Sequence, residues 1–179
     1  MAYTNVNDLA PLLTSSEVVS YAFNTSANFD TSMITDSILK MTEIAHIEKI
    51  LGREFYEELV TQHAGASLST ANATLMDDFL ERALAWFTKY ELMSDIQHNT
   101  TSSGIVTNID EFSDAVSEDA FNRMKNETYR RANIFLDDMV EFLNDSNNSS
   151  SYPLWQKHGT RDNSMEGEST KRGGLIFYD

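Results

Sequence analysis

Residues 71–97, ANATLMDDFLERALAWFTKYELMSDIQ, run on without a glycine or a proline. Within them Met76, Phe79 and Leu80, Ala83, Trp86 and Phe87, Tyr90 and Met93 recur at three- and four-residue intervals, the period of one helix face. A helix with so broad an apolar face must bury it against another element. A second stripe supplies one: Phe121, Met124, Thr128, Ala132, Phe135, Met139 and Phe142/Leu143, on a helix that the Ser117 hydroxyl can cap and that ends near Asn144. Long apolar helices cover their stripes against one another, so the expected fold is all-α, a small helical bundle of about four main helices.

The remaining elements are shorter. SSEVVSYAF (residues 15–23) makes about two helical turns, and the loop NTSANFD follows. Asp30 can cap the helix TSMITDSILKMTEIAHIEKIL, with Ile34, Ile38, Met41 and Ala45, and with Ile44, Ile47 and Leu51, at helical spacing. Gly52 suits a helix end or a kink, and REFYEELVTQH reads as a short helix turning Phe55, Leu59 and Tyr56 inward. HNTTSSGIVTN breaks the long helix with turn residues, and Ile105-Val106 reads as a short extended piece. The chain therefore divides into an N-terminal extension, 1–30; a helical domain, 31–155; and an extended tail, 156–179.

Charge narrows the classes of partner. The net charge of −15 lies entirely in residues 1–155, because residues 156–179 hold four basic and four acidic side chains. Such a body repels nucleic acid and anionic membranes at long range, although DNA can pass beside it without sticking. No segment has the length of apolar sequence needed to cross a membrane, and MAYTNVNDLAPLLTSSEVV has neither the basic start nor the apolar core of a secretory signal. With no cysteine there is no disulfide and no thiolate metal site.

The search for chemistry finds no constellation. His46, His63, His98 and His158 are scattered, with no pair three or four residues apart. Asp77-Asp78 and Asp137-Asp138 are helix neighbours about 100° apart and do not converge on one atom. DNSMEGEST starts like a calcium loop, with Asp162, Ser164, Glu166 and Gly167 in place, but Gly173 stands where the bidentate glutamate belongs. Gly173-Gly174 has no flanking strand and helix to make a phosphate cradle, and Lys171-Arg172 is too short for a basic patch. No enzymatic activity, metal or cofactor is expected. Tyr152-Pro153-Leu154-Trp155 admits two readings: a lid over the open end of the bundle, or an aromatic anchor for a partner through Tyr152 and Trp155.

One stretch carries a resemblance. HIEKILGREFYEELV, with Ile47, Leu51, Gly52, Phe55, Tyr56 and Leu59, resembles the helix–Gly–helix junction of head–tail connector proteins of tailed bacteriophages, also called adaptor or head-completion proteins. The long aromatic helix FLERALAWFTKYELM, the loop TSSGIV with Gly104, and a second long helix closing near YPLW follow in the same order, so the resemblance covers residues 30–155. It implies a structural virion protein, made in the host cytoplasm and located at the neck. Such proteins form a homo-oligomeric ring, usually twelve-fold, docked beneath the portal protein. The ring extends the channel through which DNA passes and offers a platform for further neck or tail proteins. The N-terminal 30 residues and the tail are additions to a minimal member of that family.

The tail ends on Leu175, Ile176, Phe177 and Tyr178, four β-prone apolar residues that need cover. In a ring the expected cover is a neighbouring subunit or the portal; folding back onto the segment's own bundle is the alternative. Gly173-Gly174 would then be a hinge, 156–173 a tether, and residues 174–178 a strand added to a partner's edge.

Overall fold

In the computed structural model, residues 8–23, 31–101, 104–107 and 117–156 are described; of the side chains of residues 94–101 and 104–107 nothing is said. The protein is mostly helical. Helix α1, Ser15–Ala22, begins with a reciprocal cap in which the Thr14 hydroxyl accepts from the Glu17 N–H and the Glu17 carboxylate accepts from the Thr14 N–H. A single 3₁₀ turn, Thr31–Met33, precedes the second helix, whose side-chain cap is Thr35 rather than a residue before Thr31. Asp30, the cap expected from sequence, lies outside the described residues. This helix, α2, runs on through Asp36–Thr42, a π-helical stretch Glu43–Glu48, and Lys49–Leu51.

Gly52 ends α2 and starts α3, Arg53–Ala64, with φ 81° and ψ 153°. A Cβ is poorly tolerated in that backbone region, so glycine makes the corner possible. Helix α4 joins Thr70–Leu75, a π-helical stretch Met76–Leu80 and Glu81–Gln97, and is capped by Ser69. A two-stranded antiparallel hairpin follows, β1 His98–Thr101 with β2 Gly104–Thr107, pairing Thr100 with Ile105. The extended piece at Ile105-Val106 is thus one arm of a hairpin. Helix α5, Glu118–Asn144, is capped by Ser117 as expected, and a last turn of helix occupies 153–156.

Helix α4 is the centre of the bundle: α5 lies along it, α1 crosses it, and α2 packs on it as well. Leu80, Ala83, Leu84 and Phe87 of α4 meet a core that includes Leu39, Ile47 and Leu51 of α2, Phe55, Tyr56 and Leu59 of α3, and Ala132, Leu136, Met139 and Leu143 of α5. Residues 8–23 join the same core through Leu12, Leu13, Val18 and Ala22, all buried, so this part of the N-terminal stretch is built into the helical body rather than extending from it. Two positions assigned to the inner stripes face outward: Met41 is 49% exposed and Met124 is 55% exposed. The π-helical stretch of α2 takes an extra residue into its turn and moves the buried line to Leu39, Glu43, Ile47 and Leu51. Met124 lies beyond Tyr129, whose ring meets Tyr90 at 5.0 Å on the edge of the core.

Candidate functional site

Among the described residues the titratable side chains singled out in the sequence do not come together. His46, on the π-helical stretch of α2, lies parallel to Phe87 at 4.1 Å and pairs with the Glu91 carboxylate at 2.8 Å. His63 sits in the last turn of α3, away from that pair in sequence and element. His98 falls in β1, where side chains are not described, and His158 lies outside the described residues. Asp77, Asp78, Asp137 and Asp138 are exposed. Among the described residues no group of three or more His, Cys, Asp or Glu side chains is placed to hold a metal ion.

The polar centre that sequence reasoning missed is Glu43. Its side chain is fully buried, and both carboxylate oxygens are engaged: the Leu12 N–H donates to Oε1 at 2.6 Å, and Lys40 Nζ and the Tyr56 hydroxyl donate to Oε2 at 3.0 and 2.8 Å. One carboxylate thereby joins the N-terminal segment, α2 and α3. Burial and the nearby Glu43 charge push the Tyr56 phenol well above its ordinary pKa. The sequence signal was a Glu standing in the i, i+4 register of Leu39, Ile47 and Leu51, with a lysine three residues before it. With both carboxylate oxygens engaged by internal donors and the side chain sealed from solvent, this cluster pins three elements together.

A second cluster surrounds Trp86. Lys89 Nζ lies 4.9 Å from the Trp86 ring and 4.9 Å from the Phe23 ring, and the Arg131 guanidinium stacks on Trp86 at 5.2 Å. Lys89 also donates to the Ala22 carbonyl at 2.7 Å, closing the C-terminal end of α1. Its pKa is lowered, first by desolvation and then by Arg131. Trp86, assigned from sequence to the core, is half-buried between two cations.

Tyr152 and Trp155 form the lid. Both are buried; the Tyr152 hydroxyl donates to the Ala71 carbonyl at 2.7 Å, and Trp155 Nε1 donates to Asn144 Oδ1 at 3.1 Å. The Tyr152 ring packs against Phe55 and Phe142 at 6.1 and 5.8 Å. Of the two readings of YPLW, the geometry is that of a segment folded onto its own bundle, because both aromatic side chains spend their polar atoms and faces inside the chain. Leu175, Ile176, Phe177 and Tyr178 lie outside the described residues, as do the calcium-like loop at Asp162–Gly167 and Gly173-Gly174.

Beside that lid is an open groove of about 530 Å³, lined by Phe79, Asp138, Glu141, Phe142, Asn144 and Asp145. Phe79 of α4 and Phe142 of α5 stack at 4.4 Å to form its floor. Among the described residues three carboxylates and no cation line it.

The sequence comparison assigns a family at this point: residues 47–165 match a family of unknown function, DUF6712. The chain belongs to the DUF6712 family. No curated protein and no solved structure shows a match to it. The DUF6712 segment opens at Ile47 in the second half of α2, takes in the Gly52 corner, α3, α4, the hairpin and α5, and includes the lid and every residue of the groove.

Proposed function

We propose that the protein is a structural component of a tailed-phage virion, a head–tail connector whose copies form a ring beneath the portal, extend the DNA channel and join the head to neck or tail proteins. The observation that carries this reading is the Gly52 corner. Ile47 and Leu51 are buried before it, Phe55, Tyr56 and Leu59 are buried after it, and the glycine between them sits at positive φ, so the residues of the connector-like pattern form one structural unit. The order of elements after the corner is compatible with the resemblance: a long aromatic helix, a hairpin whose second strand begins at Gly104, a second long helix and the YPLW closure. A net charge of −15 suits a wall along which DNA slides without adhering.

In this reading the protein acts by assembly and needs no cofactor. Ring contacts are heterologous, one face of each copy meeting a different face of the next. The tail, 156–179, is a tethered arm whose Leu175–Tyr178 end joins a partner, and Tyr152 and Trp155 hold the arm's root against the bundle. Among the described residues no helix is long and apolar enough to cross a membrane. The test is mass photometry of the chain mixed with a tailed-phage portal protein, with and without residues 156–179. A discrete high-order complex that weakens on truncation supports the ring. A complex holding a single copy favours a non-ring adaptor that binds one partner through its tail.

A further inference from the structure

The groove between α4 and α5 has a chemistry that matches one other segment of the same protein. Its floor is the stacked Phe79–Phe142 pair and its rim is Asp138, Glu141 and Asp145. Asp145 is partly engaged, since its Oδ1 accepts from the Asn147 N–H and from Asn147 Nδ2 at 2.9 Å each. The Asp138 and Glu141 carboxylates make no hydrogen bond or ion pair among the described residues. Among the described residues no cation stands beside these carboxylates on their aromatic floor, and a basic, aromatic segment satisfies both features together.

We propose that this groove is the docking site of the protein's own C-terminal segment, residues 171–178, KRGGLIFY. That segment carries two cations, Lys171 and Arg172, no acid, and the aromatic pair Phe177-Tyr178. The rim takes the two cations and the floor takes the rings, while Gly173-Gly174 lets the backbone turn between the charged and apolar halves. The tether is rooted in the right place. Trp155 donates to Asn144, a groove residue, and the Tyr152 ring lies 5.8 Å from Phe142, another. From Gln156 to Lys171 the chain has fifteen residues to spend, and a flexible stretch of that length spans about 20 Å on average and about 50 Å when extended. The segment can therefore reach the groove of its own copy or that of an adjacent one, and the tether raises its local concentration to about the millimolar range. The docking stands whether or not rings form; within the connector reading it names the face that receives a neighbour's arm.

The absence of cysteine allows a direct test on the full chain. Glu141→Cys paired with Ile176→Cys is compared with Arg123→Cys paired with Ile176→Cys; position 123 is exposed on the same helix, about 27 Å along it. Under mild oxidation the Glu141 pair is expected to cross-link about tenfold faster than the Arg123 pair, because docking adds to the common tether concentration. Replacing Lys171 and Arg172 with Glu removes that difference, and adding Asp138→Lys restores part of it. A monomeric cross-link places the segment in its own groove and a dimeric one in a neighbour's; both support the contact. Equal rates at positions 141 and 123, or a rate indifferent to the charge swap, overturn it. Circular dichroism of each variant confirms the fold, and because the substituted groove positions are exposed, none should lose it. Failure to form a ring with portal leaves the rate difference intact, so the two readings fail separately.

Discussion

Glu43→Gln removes one charge from a site that solvent does not reach. In the native protein the Glu43 carboxylate takes the Leu12 N–H, the Lys40 ammonium and the Tyr56 hydroxyl, with donor–acceptor distances of 2.6, 3.0 and 2.8 Å. A glutamine keeps the volume but has one acceptor oxygen and two N–H donors. Its NH₂ must then face either the Leu12 N–H or the Lys40 ammonium, and Lys40, only 8% exposed, loses its counter-charge. Breaking a buried pair from one side costs about 3–5 kcal/mol. For a chain of this size that corresponds to a fall in Tm of about 10 °C. Urea unfolding followed by far-ultraviolet circular dichroism should show the midpoint moving with little change in slope, because the surface exposed on unfolding is nearly the same. Tyr56→Phe, which deletes one neutral donor, should cost only about 1 kcal/mol. Lys40→Met combined with Glu43→Gln should cost less than the two changes summed, because each leaves the other's partner stranded. The hydrogen-exchange protection of the Leu12 amide should drop in Glu43→Gln ahead of that of the α4 core. A loss below about 1 kcal/mol for Glu43→Gln would refute the view that this carboxylate pins the N-terminal segment to α2 and α3.

Three further outcomes are expected. Gly52→Ala places a Cβ at φ 81° and ψ 153° and should destabilise the protein by about 1–3 kcal/mol, measured by thermal melts. Trp155→Ala should cost about 3–5 kcal/mol, and Tyr152→Phe, losing the bond to Ala71, about 1 kcal/mol; costs near zero for both would mean that the lid does not hold the bundle closed. Raising the pH should destabilise the fold through Tyr56. Its folded pKa lies above the ordinary 10.0, so from that value upward the unfolded chain binds fewer protons than the folded one, and the stability this phenol contributes at lower pH is lost as pH rises toward the folded value. A phenolate absorbance titration should show one tyrosine ionising only as the protein unfolds, and Tyr56→Phe should remove that step.

The parts of the fold that were readable from sequence are local, and the helix of 71–97 was readable even though a π-helical stretch, Met76–Leu80, interrupts its period. The stripes of 71–97 and 117–144, the caps at Ser117 and the break at Gly52 each depend on spacing or on one residue's backbone preference, and each is local. Register inside α2 was not readable, because the π-helical stretch Glu43–Glu48 widens a turn; Leu39 moves in and Met41 moves out. In α5, Leu136 is buried although it was absent from the expected stripe. The Glu43 cluster escaped because a Glu in a helix is ordinarily solvated, and its burial depends on Leu12 and Tyr56 arriving from distant parts of the chain. The groove was equally hidden: Asp138 read as part of a solvated helix face, and only the Phe79–Phe142 stack shows what lies beside it.

The connector account rests finally on copy number. Mass photometry of the chain with a tailed-phage portal protein counts the copies in one complex. The account predicts a narrow population at the mass of a portal carrying a closed ring of this chain, reduced when residues 156–179 are removed. A chain that stays monomeric in the presence of portal, at concentrations well above those of assembly, contradicts it.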